Sequence, residues 1–289
     1  MRRPQDFQAL LLWLKRNWGL SIRETQFEAL SLFLDEKLEA SGLTWELYAS
    51  VIEAGGPERA DLLDAATVNE TYFFRDGSQF ELLRRRLLPA FRATHGRMPR
   101  LWSAACASGE EGLSLLLVLA DVWGLGPESC RHQVWASDIN PRALERFEAG
   151  SFRPASFRAD GRQFHHLLDP FMTKDEAAVQ ISPALLALIP KREVNLITDS
   201  LASVPGTFDF IFLRNMMLYV PMGERPVIYR KIVDKLSPDG VLVLAKAEVP
   251  FFQDDEMELK EIDGNFVLTK KSSPAAPWKQ GGLEWTART

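Results

Sequence analysis

Apolar residues recur at helical spacing through the first quarter of the chain. Phe7, Leu10, Leu11 and Leu14 form one stripe, and Phe27, Leu30, Phe33, Leu34 and Leu38 form another, as expected for helices with one buried face. Gly19, Gly42 and the Gly55-Gly56-Pro57 cluster punctuate these stripes, and no alternating strand pattern intervenes. The pattern predicts an all-helical unit over residues 1–75, then a further helix over about 77–94.

After that the period changes. Leu101–Ala104 is a short strand candidate, and a helix over about 110–123 follows. Gln133–Ser137 predicts a second strand closed by Asp138, with Asn140 as cap and Pro141 as first residue of the next helix. The run "FDFIFL" (208–213) reads as a buried strand, followed by a helix over about 223–236. "SPDG" reads as a turn leading into the apolar strand Val241–Ala245. "MELKEIDGNFVLTKK" reads as a hairpin turning at Asp263-Gly264. Strands alternating with helices predict a mostly parallel α/β sheet over 76–271 with an antiparallel C-terminal hairpin. Residues 150–193 break that rhythm with Gly, Pro and charge and predict a small inserted subdomain. The Pro/Gly-rich stretch 272–289 is expected to be a loose tail.

Composition narrows the function. A formal net charge of −5 over 289 residues argues against a general nucleic-acid binder, which needs a dominant basic surface. Cys106 and Cys130 are the only cysteines, too few for a disulfide framework or a four-thiolate metal site, and each reads as a small buried apolar residue. No apolar run approaches the roughly 20 residues of a membrane span, and the N-terminal stretch reads as an amphipathic helix, not a signal peptide. A cytoplasmic protein is expected. His95, His132, His165 and His166 are scattered, and no metal site or nucleophilic triad emerges.

The stretch "SAACASGEEG" (103–112) carries the chemistry. It joins a strand to a helix, where α/β sheets bind ligands, yet it lacks both the three spaced glycines of a dinucleotide loop and the Gly-Lys-Ser/Thr of a triphosphate loop. Glu110 and Glu111 would repel a pyrophosphate and favour a positive ligand group; equally, they would favour a helix N-terminus through its dipole. S-adenosylmethionine has no phosphate and carries an ammonium and a sulfonium. Asp138, one βα unit later, stands where an acid accepts hydrogen bonds from ribose hydroxyls. Together the two features point to an adenosine ligand.

Six ordered stretches, "NETYFFRD" (69–76), "WSAACASGEEGLSL" (102–115), "ASDINPRALERFEAGSF" (136–152), "VNLI" (194–197), "FDFIFLRNMMLYV" (208–220) and "LSPDGVLVL" (236–244), resemble the chemotaxis receptor methyltransferases. The resemblance implies a Rossmann-like S-adenosylmethionine-dependent fold behind a helical N-terminal domain. It also implies esterification of glutamates on the cytoplasmic helices of methyl-accepting chemosensory receptors, in a flagellar or a pilus-type system. It assigns Asn69, Thr71, Arg75, Glu110, Asp138, Asn195, Leu196, Arg214 and Asn215 to the cofactor, with Arg75 at the methionine carboxylate, Glu110 at the ammonium and Asp138 at the ribose. Tyr219 falls at the transfer site. A carboxylate nucleophile needs no general base, and a monomer without metal, leaving S-adenosylhomocysteine as product, is the implied form.

Two departures from the family stand out. Its second helix is usually arginine-rich and docks on acidic receptor helices. Here "RETQFEALSLFLDEKLEAS" sets Arg23 and Lys37 against Glu24, Glu28, Asp35, Glu36 and Glu39, a balance of 2 − 5 = −3. Arg84, Arg85, Arg86 and Arg92 are the expected substitute docking surface. The family's Gly-His-Ser-Glu is here Ala245-Lys246-Ala247-Glu248, so only the glutamate persists. A non-catalytic cofactor-binding adaptor of the same pathway is the alternative reading. A nucleic-acid amino-methyltransferase is disfavoured, because "RNMMLY" stands where such enzymes carry an Asp/Asn-Pro-Pro-aromatic stretch.

Overall fold

The computed structural model describes residues 4–175 and 177–271; the expected tail 272–289 lies outside the described residues. The N-terminal stripes form four helices, α1 Pro4–Trp18, α2 Glu24–Ser41, α3 Trp45–Glu53 and α4 Pro57–Ala66. Their apolar faces meet in one cluster around Leu10, Leu14, Leu34, Tyr48 and Ile52. Pro57 opens α4 at a position where its missing N–H costs nothing.

The expected helix over 77–94 is interrupted. It runs as α5 Gly77–Leu82, a π turn Leu83–Leu87, and α6 Leu88–His95. Pro89 lacks an N–H and its ring would clash with the carbonyl four residues back. The wider turn just before it accommodates both constraints.

The α/β part contributes β1 Leu101–Ser103, α7 Glu110–Trp123, β2 Val134–Asp138, α8 Pro141–Ala149, β3 Ser151–Phe152, β4 Met172–Lys174, β5 Val179–Ile181 and α9 Pro183–Leu186. It continues with β6 Lys191–Glu193, β7 Phe208–Leu213, α10 Arg225–Asp234, β8 Leu236–Leu244, β9 Met257–Ile262 and β10 Asn265–Lys270, with short 3-10 turns between some of these elements. Seven strands form one sheet in the order β6-β2-β1-β7-β8-β10-β9. The first five pair in parallel, and β10 pairs antiparallel with both β8 and β9. This is the anticipated mostly parallel sheet with an antiparallel hairpin at its edge. All six residues of β7 are buried because both sheet faces are covered. Phe210 and Phe212 face one core, with α7 and the inserted segment, while Phe208, Ile211 and Leu213 face the other, with α10.

Two boundaries differ from expectation. "SPDG" lies within β8 instead of preceding it. The register jumps from Phe208↔Leu236 to Phe210↔Val241, a bulge that keeps the donor-less Pro238 out of the ladder. Lys191–Glu193 extends the large sheet beside β2, whereas β3, β5 and β4 form a separate antiparallel sheet.

Candidate functional site

After β2 the chain crosses to β6 at the edge, then returns to place β7 on the other side of β1. That reversal opens a crevice beyond the carboxyl ends of the strands. A cleft of about 1020 Å³, including its open mouth, lies there. Its floor comes from the four parallel strand ends: Ala104, Ala105 and Ala107 after β1, Asp138 and Ile139 after β2, Val194–Ile197 after β6, and Arg214–Met216 with Tyr219 after β7. The roof comes from Leu20, Ser21 and the stretch Ala66–Thr71 with Arg75.

The loop after β1 depends on its one glycine. Gly109 has φ 94°, and a Cβ there would sit 2.3 Å from the Phe147 ring, so both conformation and close approach exclude a side chain. The turn delivers Ala107 N–H to Asp138 Oδ2 at 2.8 Å, while Asn140 N–H donates to Asp138 Oδ1 at 2.9 Å. Burial pushes the Asp138 carboxyl above the usual range, opposed by these backbone donors.

The two glutamates of the loop separate. Successive helical side chains point about 100° apart, so only one can face the cleft. That residue is Glu111, whose carboxylate accepts from Ser103 Oγ at 2.6 Å and pairs with Arg214 Nη1 at 3.2 Å. Glu110, the residue expected at the ligand, does not line the cleft. It is 2% exposed, and accepts from Ser108 Oγ at 2.8 Å and from Ser156 Oγ of the inserted segment at 2.9 Å. Burial raises both carboxyls, opposed chiefly by Ser108 at Glu110 and by Arg214 at Glu111.

"NETYFFRD" is held by its aromatic pair. Phe73 packs on Phe152 and Phe157, and Phe74 stacks on Phe164 at 5.2 Å. Asp160 accepts from Tyr72 OH and from the N–H groups of Asp76 and Gly77. With the phenylalanines buried on the inserted segment, Asn69, Thr71 and Arg75 line the cleft. Arg75 Nη1 donates to the Glu70 carbonyl at 2.6 Å. Asn69 donates to Asp64 at 3.1 Å and accepts from Asn140 Nδ2 at 3.1 Å, which ties the helical part to the turn after β2.

Asn195 and Leu196 line the opposite wall. Asn195 Oδ1 accepts from Ile197 N–H at 2.9 Å, and its Nδ2 donates to the Trp18 carbonyl at the end of α1 at 3.1 Å. Arg214 also lines the cleft, but its side chain is 1% exposed and its two Nη groups are engaged within the protein, by Asp76 at 2.8 Å, the Arg75 carbonyl at 2.6 Å and Glu111, while its buried Nε has no partner among the described residues. It bolts "NETYFFRD" to the end of β7.

Asn215 takes a left-handed φ of 58°. Its N–H donates to Glu248 Oε2 at 2.7 Å, and Met217 N–H donates to Glu248 Oε1 at 2.8 Å. Glu248, fully buried, thus shapes the segment that carries Tyr219; its family resemblance offered no role for it. Tyr219 itself lines the cleft, with the Arg23 guanidinium 4.4 Å over its ring.

The arginine row does not reach this site. Arg84 pairs with Asp121 at 2.6 Å, Arg85 with Glu81, Arg86 with Asp263 at 3.1 Å, and Arg92 donates to the Val122 carbonyl at 3.1 Å. These partners include the C-terminal end of α7, whose 14 residues begin at the cleft, so the row sits ~20 Å from it. Both cysteines are buried and free. Among the described residues, no group of three or more His, Cys, Asp or Glu could hold a metal ion. No described helix is long and apolar enough to cross a membrane.

Residues 69–265 match the SAM-binding domain of the CheR methyltransferases. The chain is 31% identical over 248 residues to chemotaxis protein methyltransferase 1 of Pseudomonas aeruginosa, covering 84% of this chain and 89% of that protein. It is 33% identical to the chemotaxis protein methyltransferase of Salmonella typhimurium, covering 74% of this chain and 73% of the relative. A third relative, the probable biofilm formation methyltransferase WspC of P. aeruginosa, is 28% identical over 73% of this chain and 49% of its own length. With the sheet order, the cleft and this similarity in agreement, the chain belongs to the CheR methyltransferase family.

Proposed function

We propose that the protein transfers a methyl group from S-adenosylmethionine to glutamate carboxylates on the cytoplasmic helices of methyl-accepting chemosensory receptors. The observation that carries this reading is the chemistry of the cleft. It places Asp138 at the end of β2 and Glu111 in the first turn of α7, apolar Ile139, Val194 and Leu196 beside them, and no lysine or glycine-rich phosphate cradle. That donor set fits a ligand with a ribose, an adenine and cationic groups.

S-adenosylmethionine, when bound, supplies the methyl on a sulfonium. Asp138 has acceptor capacity left for ribose hydroxyls, Glu111 offers negative charge, and Arg75 suits a carboxylate. A substrate glutamate is already ionised at neutral pH, so the protein has no proton to remove. Its contribution is alignment and exclusion of water, with the Tyr219 hydroxyl orienting the incoming carboxylate. The expected setting is a cytoplasmic monomer.

The decisive experiment incubates the protein with methyl-labelled cofactor and receptor-bearing membranes, then treats the product with mild base. Glutamate esters release labelled methanol. Tight cofactor binding without any transfer would instead favour the adaptor reading.

A further inference from the structure

Most cations near the cleft are already committed. Arg214 pairs with Asp76 and Glu111. Arg158 pairs with Glu70 at 2.8 Å. Arg225 donates to the Val220 carbonyl and covers the Phe251 ring. Lys37, the other cation of α2's sequence stretch, pairs with Asp61 at 2.7 Å.

Arg23 differs from all of these. It is exposed, its guanidinium stacks 4.4 Å over Tyr219, and Nη2 donates to the Leu218 carbonyl at 3.1 Å. Among the described residues no carboxylate pairs with it. One of its five side-chain donors is used, so its stack on Tyr219 holds the fork in place while leaving most of it open. Leu20 and Ser21, just before it, line the cleft, which makes this connection part of the cleft's rim.

We propose that Arg23 is the residue that receives the substrate's carboxylate side chain at the rim of the cleft, beside Tyr219. This rests on the glutamate-methylation reading above and names the group that recognises that substrate. A planar fork fixed over an aromatic ring suits a carboxylate, which it can engage through two parallel donors. Because the site is open to solvent, the attraction is moderate and weakens with salt. It can gather a carboxylate without holding it so firmly that the oxygen is withdrawn from reaction. The assignment also accounts for a docking cation beside an otherwise acidic α2, far from the arginine row.

The test uses the full chain and three variants, Arg23→Gln, Arg23→Lys and Arg23→Glu. A synthetic glutamate-rich helical peptide is titrated into protein saturated with S-adenosylhomocysteine, and receptor methylation is followed in parallel. Gln should weaken peptide binding about 3- to 5-fold, the contribution of one exposed ion pair. Glu should weaken it further, and Lys should recover most of the loss. Product affinity should stay within about two-fold, and the methylation defect should appear in KM more than in kcat. Wild-type peptide affinity in the Gln variant would overturn the proposal, as would equal loss in the Gln and Lys variants with a fall in kcat, the mark of a loop brace. Arg23-dependent peptide binding by a wild-type protein that releases no base-labile methanol would sustain this inference and overturn the methylation reading.

Discussion

Glu248 accepts a hydrogen bond from the backbone N–H of Asn215 at 2.7 Å, across the gap between the ends of two neighbouring strands. The bond, with its partner at Met217 N–H, fixes a left-handed residue and the turn that follows it. Glu248→Ala leaves both donors buried without an acceptor. It should destabilise the fold by about 2–6 kcal/mol, the sum of two such groups, and lower kcat because Tyr219 loses its support. Thermal unfolding beside steady-state kinetics checks this; a variant with unchanged Tm and kcat contradicts the clamp.

The separated glutamates yield opposite phenotypes. Glu111→Gln should weaken cofactor binding, because the cleft loses a negative charge and the Arg214 pair is broken. Glu110→Gln should spare cofactor affinity and lower Tm, since its carboxylate bridges the loop to Ser156. Calorimetry with S-adenosylhomocysteine distinguishes them, and the reverse pattern would restore Glu110 to the ligand.

Asp138→Ala removes the proposed ribose acceptor and should cost about 2–3 kcal/mol of cofactor affinity, as for hydrogen bonds to a charged group. It also orphans the N–H groups of Ala107 and Asn140, so Tm should fall with it. Tyr219→Phe keeps the ring beneath Arg23. It should leave cofactor affinity nearly unchanged and reduce kcat roughly 10- to 100-fold, the value of one oriented hydrogen bond in the transition state. Full kcat in the Phe variant would reduce Tyr219 to packing.

Cofactor affinity should fall on acidification. Burial raises Asp138 and Glu111, so both begin to protonate at a pH above the ordinary carboxylate value of about 4. The affinity should therefore drop within that raised window, measured by calorimetry at stepped pH. The sign for stability is opposite: a raised folded-state pKa means the native state binds the proton more tightly. The contribution of these two groups to folding is present below the unfolded pKa and lost as pH rises through the folded one. Asp61 runs the other way. Its hydrogen bond from Lys37, reinforced by Arg142, holds it below its usual value, so that contribution is lost as pH falls.

Element type was legible where periodicity was strong. The helical stripes, the buried β7 and the Asp263-Gly264 hairpin all follow from spacing alone. Pro89 and Pro238 stood in the sequence as well, yet the π turn and the bulge depend on what surrounds each proline, and local pattern carries no such information. At the site, the residue types of the loop were readable, but the choice between Glu110 and Glu111 depends on helix rotation against Ser156 and Arg214, which lie 46 and 103 residues away in sequence. The resemblance locates Arg214 at the cleft; that its Nη groups also tie Asp76, the Arg75 carbonyl and Glu111 together is visible only in three dimensions. Arg23 gave no sequence signal, since a single arginine ahead of an acidic helix is ordinary.

The roof of the cleft has a practical corollary for anyone trimming this protein. The stretch 69–265 that matches the family's cofactor-binding domain omits Leu20, Ser21, Ala66, Thr67 and Val68, all of which border the cleft. It also omits the Trp18 carbonyl that anchors Asn195, and the Asp64 that anchors Asn69 and Asn140. A fragment cut at that boundary would keep the signature motifs but strip the cleft of most of its roof. Loss of activity in such a fragment would therefore say nothing against its signature residues.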